Sequence, residues 1–174
     1  MDPEFFEQLA MPLFDQLYNF AHWLTGDRND AEDLVQETYA KALKNFSSFQ
    51  EGTTLRAWMY KILRNTFLTS RSGLAAQQTD PWDDAVEPVS TAPTPESVLL
   101  QLENSQAVMD ALGSLPVSYR EMILLIDVEE LSYKDAAQVL NVPIGTVMSR
   151  LSRARNQLRQ ALTSRPPERA KNAV

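Results

Sequence analysis

The sequence predicts an all-α protein: two small helical domains joined by an acidic, proline-containing linker, the second domain a helix-turn-helix. Three observations predict it. Apolar residues recur at spacings of three and four rather than two, and β-branched alternating runs are scarce. The stretch from 73 to 96 breaks that periodicity with four prolines, five acids and no base. With 174 residues, 44% of them apolar, the chain has room for two small cores.

Taken in order, Asp2 and Pro3 make a helix start, and residues 3–24 form a first helix ended by Gly26 and the turn-forming Asp27 to Asp30. A second runs from about Asp30 to Phe46, with Ala31, Leu34, Val35, Thr38, Tyr39, Ala42, Leu43 and Phe46 on one face. The polar loop SSFQEGT leads to a third over 54–70, completing an N-terminal domain over 1–72. Residues 73–95 are the flexible linker. The second domain spans 96–165: Pro95 and Glu96 open a helix reaching Leu112, Gly113 ends it, and Pro116 opens another through about Glu129. Two more helices occupy 133–140 and 144–163, before a disordered tail over 166–174.

Charge is segmental. The net charge is −7 and the pI about 4.7, yet the balance is −7 over 1–53, +4 over 54–72, −10 over 73–130 and +6 over 131–174. Two basic islands in an acidic chain point to two local contacts with a polyanion. The overall acidity should weaken unassisted DNA binding. Without cysteine there is no disulfide framework, zinc-thiolate site or thiol nucleophile, so any redox sensing belongs to a partner. The longest apolar runs, such as MILLI at 122–126, are too short to span a bilayer, and the acidic N-terminus is unlike a signal peptide. A cytoplasmic protein with no membrane insertion is expected. One histidine, His22, no phosphate-cradling glycine loop and no cluster at metal-ligand spacing argue against an enzyme, and no metal or cofactor is expected. His22 is assigned to helix packing.

In the second island, LSYKDAAQVLN carries Ser132 and Asp135 at capping-box spacing, with Leu131 placed to staple onto Ala136. Asn141, Val142 and Pro143 stop that short helix, and a longer arginine-rich one begins at once, the helix-turn-helix pattern. Val147, Leu151, Ala154, Leu158, Ala161 and Leu162 form its core stripe. Thr146, Ser149, Arg150 and Arg153 occupy another sector near the N-terminus, the end that enters the major groove, whereas Arg155 and Arg159 suit phosphate contacts. In the first island, Arg56, Tyr60, Arg64, Phe67 and Arg71 project within about 80° of one another, opposite Leu55, Trp58, Met59, Ile62 and Thr66. Cations interleaved with rings on an exposed stripe suit unpaired nucleic acid, and Lys61 adds charge nearby. The competing explanation packs Tyr60 and Phe67 on a neighbouring helix. Trp58 belongs to the core.

DAEDLVQETYAKAL followed by LRAWMYKILRNTF resembles the N-terminal domain of bacterial sigma factors, and LPVSYREMILLIDVEELSYKDAAQVLNVPIGTVMSRLSRARNQL resembles their C-terminal domain. With only these two domains, the resemblance is to the extracytoplasmic-function group. It implies binding to core RNA polymerase and to promoter DNA. Asp33, Gln36 and Glu37 would dock on the polymerase. The loop Ser47–Thr54 and the third helix, with Asn65, would take a flipped base of the opened −10 region, and the last helix would read the −35 duplex. Met148 departs from the family's usual basic residue, which removes one potential phosphate or base contact. FDQLY, LVQETYAKA, EGTTLRAW and GTVMSRL resemble a subgroup controlled by zinc-containing, redox-responsive anti-sigma proteins, which implies an anti-sigma factor as partner. Trp82 is either an anchor for a partner or incidental. The rival is an autonomous helix-turn-helix regulator binding duplex operators, which would leave the first island and the docking face unexplained.

Overall fold

The computed structural model of the chain describes residues 2–49, 52–70 and 105–163. Arg71, the 73–95 linker with Trp82, the helix start at Pro95 and Glu96, and the 166–174 tail lie outside the described residues. Among the described residues all regular structure is helical.

Helix boundaries have local causes. Asp2 caps α1 (Pro3–Ala10), accepting from the Glu4 N–H at 3.0 Å. The single helix expected over 3–24 is in fact divided: Pro12 brings no N–H, and a 3-10 turn over Met11–Leu13 separates α1 from α2 (Phe14–Thr25). Gly26 closes α2 in the left-handed region at φ 71°, its N–H donating to the His22 carbonyl at 2.8 Å. Asp27 then caps α3 (Arg28–Lys44), accepting from the Asp30 N–H at 3.0 Å. Beyond a 3-10 turn over Phe46–Ser48, the Thr54 hydroxyl accepts from the Ala57 N–H at 3.1 Å to start α4 (Leu55–Ser70).

These helices share one core. Leu17, Phe20 and Leu24 of α2, Ala31 and Val35 of α3, and Met59 and Leu63 of α4 are all at most 1% exposed. Leu43, expected on the buried face of α3, is instead 47% exposed, while Ala42 beside it is fully buried. His22 stacks on Tyr18 at 6.2 Å, a packing role. Phe6, Phe49 and Trp58 surround Phe46 with centroid distances of 5.1, 6.1 and 6.3 Å, and this cluster pins the start of the loop before α4. Trp58 is accordingly half-buried and packed on the core.

The second half comprises α5 (Ser105–Ser114), α6 (Val117–Ile123), α7 (Tyr133–Leu140) and α8 (Ile144–Thr163). Gly113 does not end α5 as expected; the helix continues to Ser114, and Pro116 caps the next. α6 runs into a π turn over Leu124–Val128, where the Glu129 N–H reaches the Leu124 carbonyl at 2.8 Å. The extra residue in that turn changes the direction in which the chain leaves the helix. Glu130 then takes φ 56°, a left-handed conformation costing a residue with a Cβ about 1–2 kcal/mol.

The π turn aims Asp127 at α8, where its two oxygens accept from Arg155 Nε at 3.0 Å and from the terminal guanidinium nitrogen at 2.6 Å, with both residues buried. Sequence reasoning placed Arg155 at a DNA phosphate. The structure corrects that placement: the side chain faces inward and its fork is matched to a buried carboxylate. Arg155→Ala or Asp127→Ala should each cost about 3–5 kcal/mol in urea denaturation, because either leaves a charge buried alone. Arg155→Met with Asp127→Leu should recover most of that loss.

Candidate nucleic-acid interface

The helix-turn-helix is built by local capping. The Ser132 hydroxyl accepts from the Asp135 N–H at 3.0 Å, and Leu131 and Ala136 are both buried beside it. Asn141 ends α7 in the left-handed conformation at φ 56°. The Val142 N–H returns to the Ala137 carbonyl at 3.0 Å and the Asn141 N–H to that of Gln138 at 3.4 Å, the paired bonds of a Schellman stop. The Pro143 carbonyl accepts from the Thr146 and Val147 N–H groups at 3.0 and 3.2 Å, starting α8. Val147, Leu151, Ala154 and Leu158 are at most 2% exposed, and Ala161 and Leu162 are half-buried. Of the expected readers, Thr146, Ser149, Arg150 and Arg153 are half-buried and Arg159 is exposed. Arg150 and Arg153 are engaged within the chain.

On α4 the expected exposed stripe is corrected. Tyr60 and Phe67 are 1% and 5% exposed. The Tyr60 ring meets Phe20 edge-on at 5.0 Å, and its hydroxyl donates to Glu129 of the C-terminal half at 2.9 Å. Arg56 also crosses over, donating to the Glu129 carbonyl and lying 3.9 Å from its carboxylate, with its guanidinium 5.6 Å from the Tyr60 ring centroid. Arg64 pairs with Glu121 of α6. Only Lys61 and Asn65 of the described members of this set are exposed. Of the stripe, the second domain engages Arg56, Tyr60 and Arg64.

A reciprocal contact comes from Arg120. Its guanidinium donates to the Leu24 carbonyl at 2.6 Å, and to the carbonyls of Leu112, Gly113 and Leu115 at 2.9, 3.1 and 3.1 Å. One five-donor fork therefore satisfies the end of α5 and ties it to the end of α2. Sequence reasoning missed Arg120, Glu121 and Glu129; the signal that pointed to them was that Arg120 is the one base between 73 and 130. Beside this contact, α3 presents Asp33, Gln36 and Glu37, all exposed. Glu37 pairs with Lys41 at 3.1 Å, and Asp33 and Glu37 edge a cleft that also includes Leu34, Phe67, Met109 and Arg120.

Burial drives the electrostatics at the domain contact. The Tyr60 hydroxyl is held far above the ordinary phenol range, first by burial and then by the Glu129 carboxylate, so it is a permanent donor. Glu129 is raised above 4.5 by burial, against the lowering effects of the Tyr60 hydrogen bond and Arg56. Arg56 Nε and, on α7, Gln138 Oε1 are buried without hydrogen-bond partners. Each such orphan costs about 1–3 kcal/mol.

The sequence compares with known proteins in two segments. Residues 9–75 match the family model for sigma-70 region 2, and residues 105–158 that for sigma-70 region 4. The chain is 35% identical to the ECF RNA polymerase sigma factor SigE of Mycolicibacterium smegmatis, covering 96% of this chain and 68% of that protein. The chain belongs to the ECF sigma-factor family. A second sigma factor, EcfG of Rhodopseudomonas palustris, is 35% identical over 85% of this chain and 86% of its own. The sigma factor RpoE from Bartonella quintana, solved in complex with the anti-sigma factor NepR, superposes with a TM-score of 0.70 at 35% identity, covering 92% of this chain and 98% of that one. As a sigma factor the chain binds RNA polymerase and promoter DNA and directs transcription initiation; an autonomous operator-binding regulator would not account for the region 2 match. No helix among the described residues of this sigma factor is long and apolar enough to cross a membrane.

The raised carboxyl of Glu129 gives the sigma factor's stability a pH dependence of defined sign. A carboxyl whose value is raised in the folded chain contributes stability that is present below its unfolded value and is lost as pH rises through the folded one. That contribution is therefore expected to fall as pH rises from about 4.5, the ordinary value, as read by urea denaturation over that range. Glu129→Gln should remove this part of the slope. An identical slope in wild type and Glu129→Gln would assign the effect to another group.

Proposed function

We propose that the described arrangement is the closed, inactive form of this sigma factor, which opens on core polymerase to expose two separate DNA-reading surfaces. The observation that carries the proposal is that Tyr60, Arg56 and Arg64 of α4 are engaged by the C-terminal domain: the Tyr60 hydroxyl and Arg56 by Glu129, and Arg64 by Glu121. Cations engaged by glutamates are withheld from phosphate. The contact is also suited to separating, since Arg56 keeps 33% of its side chain exposed and two buried polar atoms are orphaned.

Asp33, Gln36 and Glu37 form the polymerase-docking face, an exposed polar patch on a rigid helix. The loop 47–54 and α4 read the opened −10 strand through Lys61, Asn65 and Arg71, joined by Arg56 and Arg64 after separation. Tyr60 and Phe67 contribute chiefly by shaping α4. α8 reads the −35 duplex through Thr146, Ser149, Arg150 and Arg153, with Arg159 on phosphate. The chain itself supplies no catalytic step. It works in the cytoplasm, and an anti-sigma factor holds the closed form, as the pairing of RpoE with NepR supports. We assign that partner to the zinc-containing, redox-responsive class on the resemblance of FDQLY, LVQETYAKA, EGTTLRAW and GTVMSRL, and with no cysteine in this chain any thiol chemistry would belong to the partner.

Purified chain and core polymerase should transcribe from a cognate promoter, whereas the chain alone should give no tight, specific gel shift of the same duplex. Tight binding alone with no transcription on adding core would favour an operator-binding regulator. Glu121→Gln with Glu129→Gln should increase binding of the isolated chain to single-stranded −10 DNA several-fold, by removing the carboxylate charges that face Arg56 and Arg64. No change would mean that closure does not restrain this surface.

A further inference from the structure

Two of the large exposed apolar side chains lie on the reading helix: Ile144 is 48% exposed and Met148 55% exposed. Separated by four residues, they share a face. It does not continue the core stripe, whose members Val147, Leu151, Ala154 and Leu158 are at most 2% exposed. At about 100° per residue, Met148 falls between that stripe and Ser149, so it borders the polar reading sector on the side away from Thr146 and Arg150. A hollow between α7 and the start of α8 is lined by Lys134, Ala137, Gln138, Asn141, Pro143 and Ile144, and among its lining residues there is a cation but no carboxylate. One exposed apolar residue needs no explanation. Two on one face, at the end that a helix-turn-helix presents to the major groove and beside a cationic hollow, do.

We propose that Met148, seated beside Ile144, is a specificity-determining residue that packs on the 5-methyl group of a thymine in the −35 duplex, with Lys134 placed for a neighbouring phosphate. The proposal rests on the assignment of α8 to the −35 element. Its occupant is set by the chemistry of the groove: among the bases, thymine alone presents a methyl there, whereas guanine presents two acceptors suited to arginine. An unbranched thioether adapts to such a small apolar target and offers guanine no donor.

The test uses holoenzyme formed from the full chain and core polymerase, on a promoter recovered from a randomised duplex library by that holoenzyme. Each −35 thymine is replaced singly by deoxyuridine, which removes only the methyl. Substitution at one or two positions is expected to weaken holoenzyme binding about three- to fivefold, the effect of losing one buried methyl. Met148→Ala should weaken binding to the unmodified promoter by a similar factor and abolish the thymine–uracil difference, while Met148→Leu preserves it. Circular dichroism should show both variants folded, since the side chain is exposed. A recovered −35 element without thymine, or a transcribing holoenzyme indifferent to uracil at every position, overturns the methyl contact and leaves the sigma assignment intact. Failure of any promoter-specific transcription with core overturns both.

Discussion

The carboxylate of Glu129 sits where the two halves of the molecule meet, and the contact between them depends on it. It accepts from the Tyr60 hydroxyl at 2.9 Å and lies 3.9 Å from Arg56, both on α4. An acid is costly to bury, and this one is offset by a donor and a cation without being fully compensated, as its raised carboxyl shows. Its position is itself constructed. A π turn and a left-handed Glu130 interrupt what would be an ordinary helix end, sending Asp127 toward α8 and Glu129 toward α4. One local irregularity thus fixes the reading helix within its domain and the domain against its neighbour.

The two contacts differ in how readily they can separate. The Asp127 to Arg155 pair is buried, bidentate and internal to the C-terminal domain, so it keeps α8 rigid whether or not the domains touch. The Arg56, Arg64 and Arg120 contacts join parts of the chain far apart in sequence, and they leave Arg56 Nε and Gln138 Oε1 unsatisfied. Under the proposed opening, each surface would be preformed on its own domain and only their relation would change. The acidity of the remainder, including Asp33 and Glu37 on the α3 face, works against DNA binding by either surface alone.

Much of this was legible in the sequence because it depends on neighbours in the chain. Asp27, Ser132, Asn141 and Pro143 act on backbone groups within a few residues, and the 133–140 and 144–163 helices stand as the spacing predicts. Pro12 is the local signal that the expectation of one long first helix overlooked; its missing N–H divides that helix. The family was legible too, in motifs spread over both domains.

By itself, then, the sequence determined the helical class, the caps at Asp2, Gly26, Ser132 and Asn141, the helix-turn-helix and the sigma-factor resemblance, because periodicity, caps and motifs are properties of short segments. Only the tertiary structure decided that Arg56, Tyr60 and Arg64 of α4 are engaged by the second domain, that Arg155 faces inward and that Glu121, Glu129 and Arg120 join the domains. The reason is physical. A helix projection shows which residues share a face but cannot show what lies against it, and the partners of Tyr60 and Arg64 come from 69 and 57 residues further along the chain.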